Sequence, residues 1–229
     1  MKASDLASVP IAAGAALRRR RLFHPTGVLV NGSVERLAPP GEGLPMESGA
    51  IVGRLSKAVG TPGALPDAAG LAWRMPPGPF AATPWDVLLV SAGFGGADAV
   101  PNRVLLRAVT SWSAAPYSSL LPLRHGEDLW WIRAQLTTPV DGGLSLDAAR
   151  AAINGGSLDF HVEQSCGTAG FTPLATLTLN EVIADPAEHD VSFDPVRHSA
   201  PDVSVWPDWL RDFRSLAYRS SREGRDAED

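Results

Sequence analysis

Leu129-Trp130-Trp131-Ile132-Arg133-Ala134-Gln135-Leu136 settles the class of fold. Towards its end, apolar Ile132, Ala134 and Leu136 alternate with polar Arg133 and Gln135, the period of a strand that keeps one face on a core. Trp130 and Trp131 then point to opposite faces, one predicted in the core and the other beneath a helix or a partner. Outward from this strand, residues 50–55, 69–75, 85–92, 104–110, 159–164 and 174–183 read as further strands. Residues 27–37 read as a strand pair around Asn31-Gly32, the strongest two-residue hairpin signal.

Helices are few. Ser145 is placed to cap a short helix over 146–153 that stops at Asn154-Gly155-Gly156. A final helix is expected from Pro207-Asp208 through Tyr218, with proline acceptable in its first turn. Glycine (22) and proline (20) are both frequent and the apolar stretches are short, which favours many strands joined by turns over a helical bundle. The expectation is a mainly β, α+β domain of roughly seven or eight antiparallel strands, a barrel or sandwich. It spans residues 18–225, after an arm or amphipathic helix over 1–17 and before a disordered acidic tail over 226–229.

The 229 residues are 45% hydrophobic, enough for one sizeable core. A net charge of −5 gives no electrostatic reason to expect nucleic acid. The single cysteine, Cys166, excludes an intramolecular disulfide or a multi-cysteine metal cluster, and a buried inert thiol is the reading of it; a reduced cytoplasmic setting fits. No apolar run reaches membrane-spanning length. The apolar stretch 8–17 precedes the basic run 18–21, the reverse of a secretory signal, so export is not expected.

Three constellations carry chemistry. Arg214 and Tyr218 lie four residues apart, so on a helix the guanidinium can sit over the phenol oxygen and favour phenolate, a hard ligand suited to ferric haem iron. Arg225, two turns on, shares that face and can pair with a haem propionate; a surface helix with a plain Tyr–Arg contact is the other reading. Arg21 and His24 open the segment 21–35, where a histidine entering a barrel can act as acid and base near its natural pKa. Arg54, alternating inward on its strand, calls for an anion, either a propionate or Asp67.

The ordered set of these segments resembles the catalase superfamily of haem proteins. R-x-x-H-x-x-G-x-x-x-x-G-x-x-E from Arg21 to Glu35 is similar to the family's distal-histidine segment. Ile51-Val52-Gly53-Arg54-Leu55-Ser56, continuing to Asp67, Gly70 and Ala72, resembles its next two barrel strands. Ser192-Phe193-Asp194-Pro195 and Pro207-Asp208 look like its wrapping segment and the start of its proximal helix. The resemblance implies a catalase-like barrel of about eight strands with a C-terminal proximal-haem helix, and ferric haem b as cofactor. It makes Tyr218 the axial iron ligand, Arg214 its charge partner, and Arg21, Arg54 and Arg225 the propionate ligands. His24 becomes the distal acid-base residue, and Ser56 its hydrogen-bond partner.

One position departs from the pattern. Typical members carry an asparagine on the strand after Trp-Asp, where it orients bound peroxide; after Trp85-Asp86 that position falls at Val90, with Ser91 next. The resemblance therefore implies a haem oxidoreductase that reacts with hydrogen peroxide or an organic hydroperoxide and an outside reductant, with weak dismutation. A haem hydroperoxide lyase or isomerase, and a non-enzymatic haem-binding protein, are the alternatives. The partners implied are small molecules and a homo-oligomer, with no nucleic acid and no membrane span. His125, His161, His189 and His198 show no paired metal spacing and read as surface or turn residues.

Overall fold

A computed structural model describes residues 27–78, 83–93, 100–114, 116–184 and 191–207 of the chain. Its ten strands are β1 (Gly27–Arg36), β2 (Gly49–Lys57), β3 (Ala69–Met75), β4 (Trp85–Ser91), β5 (Tyr117–Ser118), β6 (Leu123–His125), β7 (Asp128–Leu136), β8 (Leu158–Cys166), β9 (Thr172–Val182) and β10 (Val203–Val205). Among the described residues the helices are α1 (Val100–Val104) and α2 (Leu146–Asn154). The strands join in the order β7-β5-β4-β3-β2-β1-β9-β8, and β8 pairs back onto β7, closing an eight-stranded antiparallel barrel. Closure leaves these eight without a free edge, which removes the usual route to edge-to-edge association. β6 extends the same side of β7 that holds β5, and β10 adds to β6.

Strand alternation sorts every residue to the inside or the outside of this barrel. Val28, Val30 and Val34 of β1, Ile51 and Leu55 of β2, Leu71 and Trp73 of β3, and Val87 and Leu89 of β4 are buried on the inner face. Ile132, Ala134, Phe160, Val162, Leu177 and Leu179 meet them from the other side. Gly53 admits Leu179: a Cβ there would lie 2.7 Å from the leucine Cδ2. Tyr117 packs edge-on to Phe160 at 5.9 Å and donates its hydroxyl to the Trp112 carbonyl at 2.7 Å, so its phenol is satisfied in the core. Burial pushes that phenol far above its ordinary pKa.

Local chemistry sets the ends of several elements. Ser145 accepts from the Ala148 amide at 2.9 Å and caps α2, which buries Ala149 and Ile153. The β1–β2 connection winds round the Arg36 guanidinium, which donates to five carbonyls, those of Ala38, Pro39, Glu42, Leu44 and Met46, at 2.6–3.0 Å. Asp67 gathers the loop after β2, accepting from the amides of Val59, Gly60, Thr61 and Ala68 at 2.7–3.0 Å. Burial alone would raise the Asp67 carboxyl; the amide bonds outweigh it and hold the group below its usual range.

Three expectations from sequence are corrected. Residues 27–36 form one continuous strand, with a register shift against β9 at Asn31/Gly32 in place of a hairpin. The Thr178 carbonyl sits where a Gly32 Cβ would be, so the glycine serves close approach of β9 and not a turn. Residues 104–110 do not form a strand; the chain leaves α1 and makes the isolated bridges Ala92↔Leu106 and Asp67↔Val109. Third, Arg54 does not alternate inward. Leu55 and Ile51 take the core, so Arg54 and Ser56 face outward. The tryptophan pair divides as predicted: Trp131 lies on the outer face, buried under Arg103 of α1 at 5.9 Å, and half-buried Trp130 packs against the core. The predicted C-terminal helix, the 1–17 arm and the 226–229 tail lie outside the described residues.

Candidate functional site

Register in the barrel wall brings the candidate residues of β2 and β4 together on the outer face. Gly27 pairs with Ser56, Ser56 with Gly70, Gly70 with Val90, and Val90 with Ser118, so the five form one outward row across β1–β5. The next outward row, two residues or about 7 Å along the strands, is Leu29, Arg54, Ala72 and Leu88. Neighbouring strands lie about 4.8 Å apart, so β1–β4 give a wall about 14 Å broad. Leu29, Gly70 and Ser56 are buried, and Ala72, Leu88 and Val90 are half-buried. We call this surface the platform: small or apolar side chains, one guanidinium and one hydroxyl.

Arg54 leans towards the start of β1. A Cβ at Gly27 would lie 2.5 Å from the arginine Nε, so the side chain crosses the glycine, three residues after His24 in sequence. Asp67, the alternative partner foreseen for Arg54, has its carboxylate occupied by the four amides and the Thr61 hydroxyl. Lys57, next to Ser56 but on the opposite face, is buried and donates to the carbonyls of Gly63 and Leu65 at 2.9 and 3.1 Å. Its pKa is lowered by burial, against the pull of Asp67.

Hydrogen-bonding groups near Val90 are already committed. Ser91 points inward, donates to the Arg107 carbonyl at 2.6 Å and accepts from the Ala69 amide at 3.0 Å, so its hydroxyl is turned away from the outer face. Ser118 donates to the Arg103 carbonyl at 2.6 Å and accepts from the Leu120 amide. Beyond Ser118 the row continues into Arg133 and Glu163, paired at 2.8 Å, with Phe171 stacked 4.0 Å from the Arg133 guanidinium.

The structure thus brings together Arg54, Ser56 and Val90. Arg21, His24, Arg214, Tyr218 and Arg225 lie outside the described residues. Sequence reasoning did not single out Leu29, Leu88 or Ser118; strand parity could have placed each on the outward face, but only the pairing puts them in these rows. Nor did it find the third outward row, where Arg74 and Asp86 pair across β3–β4 and bind His198, which was read as a surface or turn residue. Cys166 is half-buried; burial, then the charge and hydrogen bond of Asp128, push its thiol up and make it a poor nucleophile. Among the described residues no group of three or more His, Cys, Asp or Glu is arranged to hold a metal, and no helix is long and apolar enough to cross a membrane.

No protein-family model matches the chain, and a search of curated proteins finds no match.

Proposed function

We propose that the platform seats haem b and that the protein is a haem-dependent oxidoreductase using hydrogen peroxide or an organic hydroperoxide. The observation that carries this reading is the single outward row Ser56, Gly70, Val90 with Arg54 beside it. A wall of small and apolar side chains suits the face of an apolar ring, and the Arg54 guanidinium crossing Gly27 suits a carboxylate at its rim. When bound, haem would supply a ferric iron able to take oxygen from a hydroperoxide.

The chain's residues would then divide the work. Tyr218 would offer a phenolate to the iron, with Arg214 holding the phenol in its anionic form. Arg54, with Arg21 and Arg225, would pair with the propionates. His24 would take the proton from the attacking hydroperoxide oxygen and return it to the departing one, and Ser56 would hold its ring in the required tautomer. Val90 offers no hydrogen bond, and the hydroxyls of Ser91 and Ser118 are held by backbone carbonyls. A second hydrogen peroxide would go unoriented here, so an outside reductant or a hydroperoxide with an apolar tail is the better substrate.

A visible spectrum of protein expressed with ample haem tests this directly. High-spin ferric haem is expected, altered or lost in Tyr218→Phe. Absence of a Soret band in wild type, even after addition of haemin, would sink the haem reading. The same apolar wall suits rearrangement of a bulky hydroperoxide, and product analysis with a fatty hydroperoxide, with and without a dye reductant, separates isomerase from peroxidase.

A further inference from the structure

The third outward row is as polar as the platform is apolar. The Asp86 carboxylate is fully buried and accepts from Arg74 twice, Nε to Oδ1 at 2.6 Å and Nη2 to Oδ2 at 2.7 Å. Oδ2 also takes the Asp194 amide at 2.6 Å and lies 2.9 Å from His198 Nδ1. The Asp86 amide in turn donates to the His198 carbonyl at 2.9 Å, and Arg74 Nη2 reaches the Ser192 carbonyl at 2.8 Å. Phe193 lies under the Arg74 guanidinium at 5.6 Å. The buried Asp86 carboxylate on β4 and its partner Arg74 together therefore gather both ends of residues 192–198.

A proton count fixes the histidine. Arg74 Nη2 carries two hydrogens but has three neighbours in range: Asp86 Oδ2, the Ser192 carbonyl and, at 2.8 Å, His198 Nδ1. The two oxygens take the two hydrogens. On this count His198 Nδ1 carries its own hydrogen and donates it to Asp86.

Arg74 and Asp86 stand only two residues from Ala72 and Leu88, so the segment docks beside the platform's edge. From there it leads through β10 towards residues 208–229, which hold Tyr218. We propose that Asp86 is a positioning residue: by docking the 192–198 segment it sets the edge of the platform, and platform occupancy and segment docking stabilise each other. The inference rests on the haem reading for the occupant. Binding free energies link reciprocally, so an occupant that is weakened by loosening the segment must itself tighten the segment.

The test is hydrogen exchange of residues 192–198 with and without haemin, alongside haemin titration. In wild type, haemin should slow exchange of this segment; unchanged exchange with haemin bound overturns the coupling. Asp86→Asn should speed exchange on the order of tenfold and weaken haemin binding by about fivefold or more. His198→Asn, whose amide can replace the Nδ1 donor, should retain most of both properties, and His198→Ala should fall between. If Asp86→Asn fails to fold, wild type and His198→Ala still decide. Unchanged exchange in His198→Ala, or nitrogen shifts of His198 showing the Nε2–H tautomer, would overturn the clamp. Wild type that shows clamp behaviour but binds no haemin refutes the haem reading and the coupling while leaving the docking role standing.

Discussion

The outer face of β3 and β4 is two surfaces on one pair of strands. At one end Gly70, Ala72, Leu88 and Val90 present small and apolar groups, and at the other Arg74 and Asp86 form a buried, bidentate ion pair. Among the described residues the side-chain contacts of Asp86 at the polar end come from β3 and from residues 192–198. The apolar end contributes no side-chain donor on these two strands. Identical backbone geometry thus supports two tasks: a closed hydrogen-bond network fixes a segment, and a surface without such bonds suits a broad apolar ligand held at its rim.

Separating the two ends by mutation gives the largest expected effects. His24→Ala should slow reaction with peroxide on the order of 10²–10⁴-fold, followed by rapid mixing, with the unfolding midpoint unmoved. Unchanged kinetics would remove His24 from the mechanism. Asp86→Ala should do the reverse first: a stability loss of about 3 kcal/mol in urea, the low end for a broken buried pair because Arg74 keeps some solvent contact. A loss below about 0.5 kcal/mol would mean that the network is not the anchor described.

A smaller effect lies in the Asp67 loop, which resembles the clamp in using one carboxylate to collect several donors. Its folded pKa is held below the unfolded value, so the stability it contributes is fully present above about pH 4 and is lost as pH falls through the folded value. Asp67→Asn should flatten the acid limb of stability against pH; an unchanged limb would count against the amide cluster as the cause. The smallest structural change is Val90→Asn, expected to alter stability by less than about 1 kcal/mol. It places a donor on the apolar end, and oxygen evolution from hydrogen peroxide should rise relative to dye oxidation. No rise with haem content intact would mean that Val90 does not face the reacting peroxide.

Legibility differed from strand to strand. Residues 69–75 were readable to the residue, because the large apolar residues Leu71, Trp73 and Met75 alternate with Gly70, Ala72 and Arg74 between turn signals. Ser145 was readable as a cap, since its hydroxyl acts on an amide three residues away. Asn31-Gly32 misled for a related reason: the local hairpin signal is real, but the Thr178 carbonyl, far along the chain, claims the space over Gly32. The segment 104–110 misled because its apolar residues suit a strand while only two isolated bridges are available to pair with it. Arg54, Ser56 and Val90 were singled out through resemblance, but the shared row of Ser56 and Val90, with Arg54 in the row beside it, required the register of two strand pairs.

What the sequence determined by itself is local: the strand period, the cap at Ser145, and the alternation of successive residues between the two faces of a strand. Those properties depend on neighbours within a few positions, so they survive without knowledge of the fold. Only the tertiary structure decided that β8 returns to β7, that Gly27, Ser56, Gly70 and Val90 stand in one row, and that Asp86 meets His198 from 112 positions away. Pairing register and long-range hydrogen bonds are settled by which surfaces the closed barrel can bury together, and no short window of sequence contains that competition.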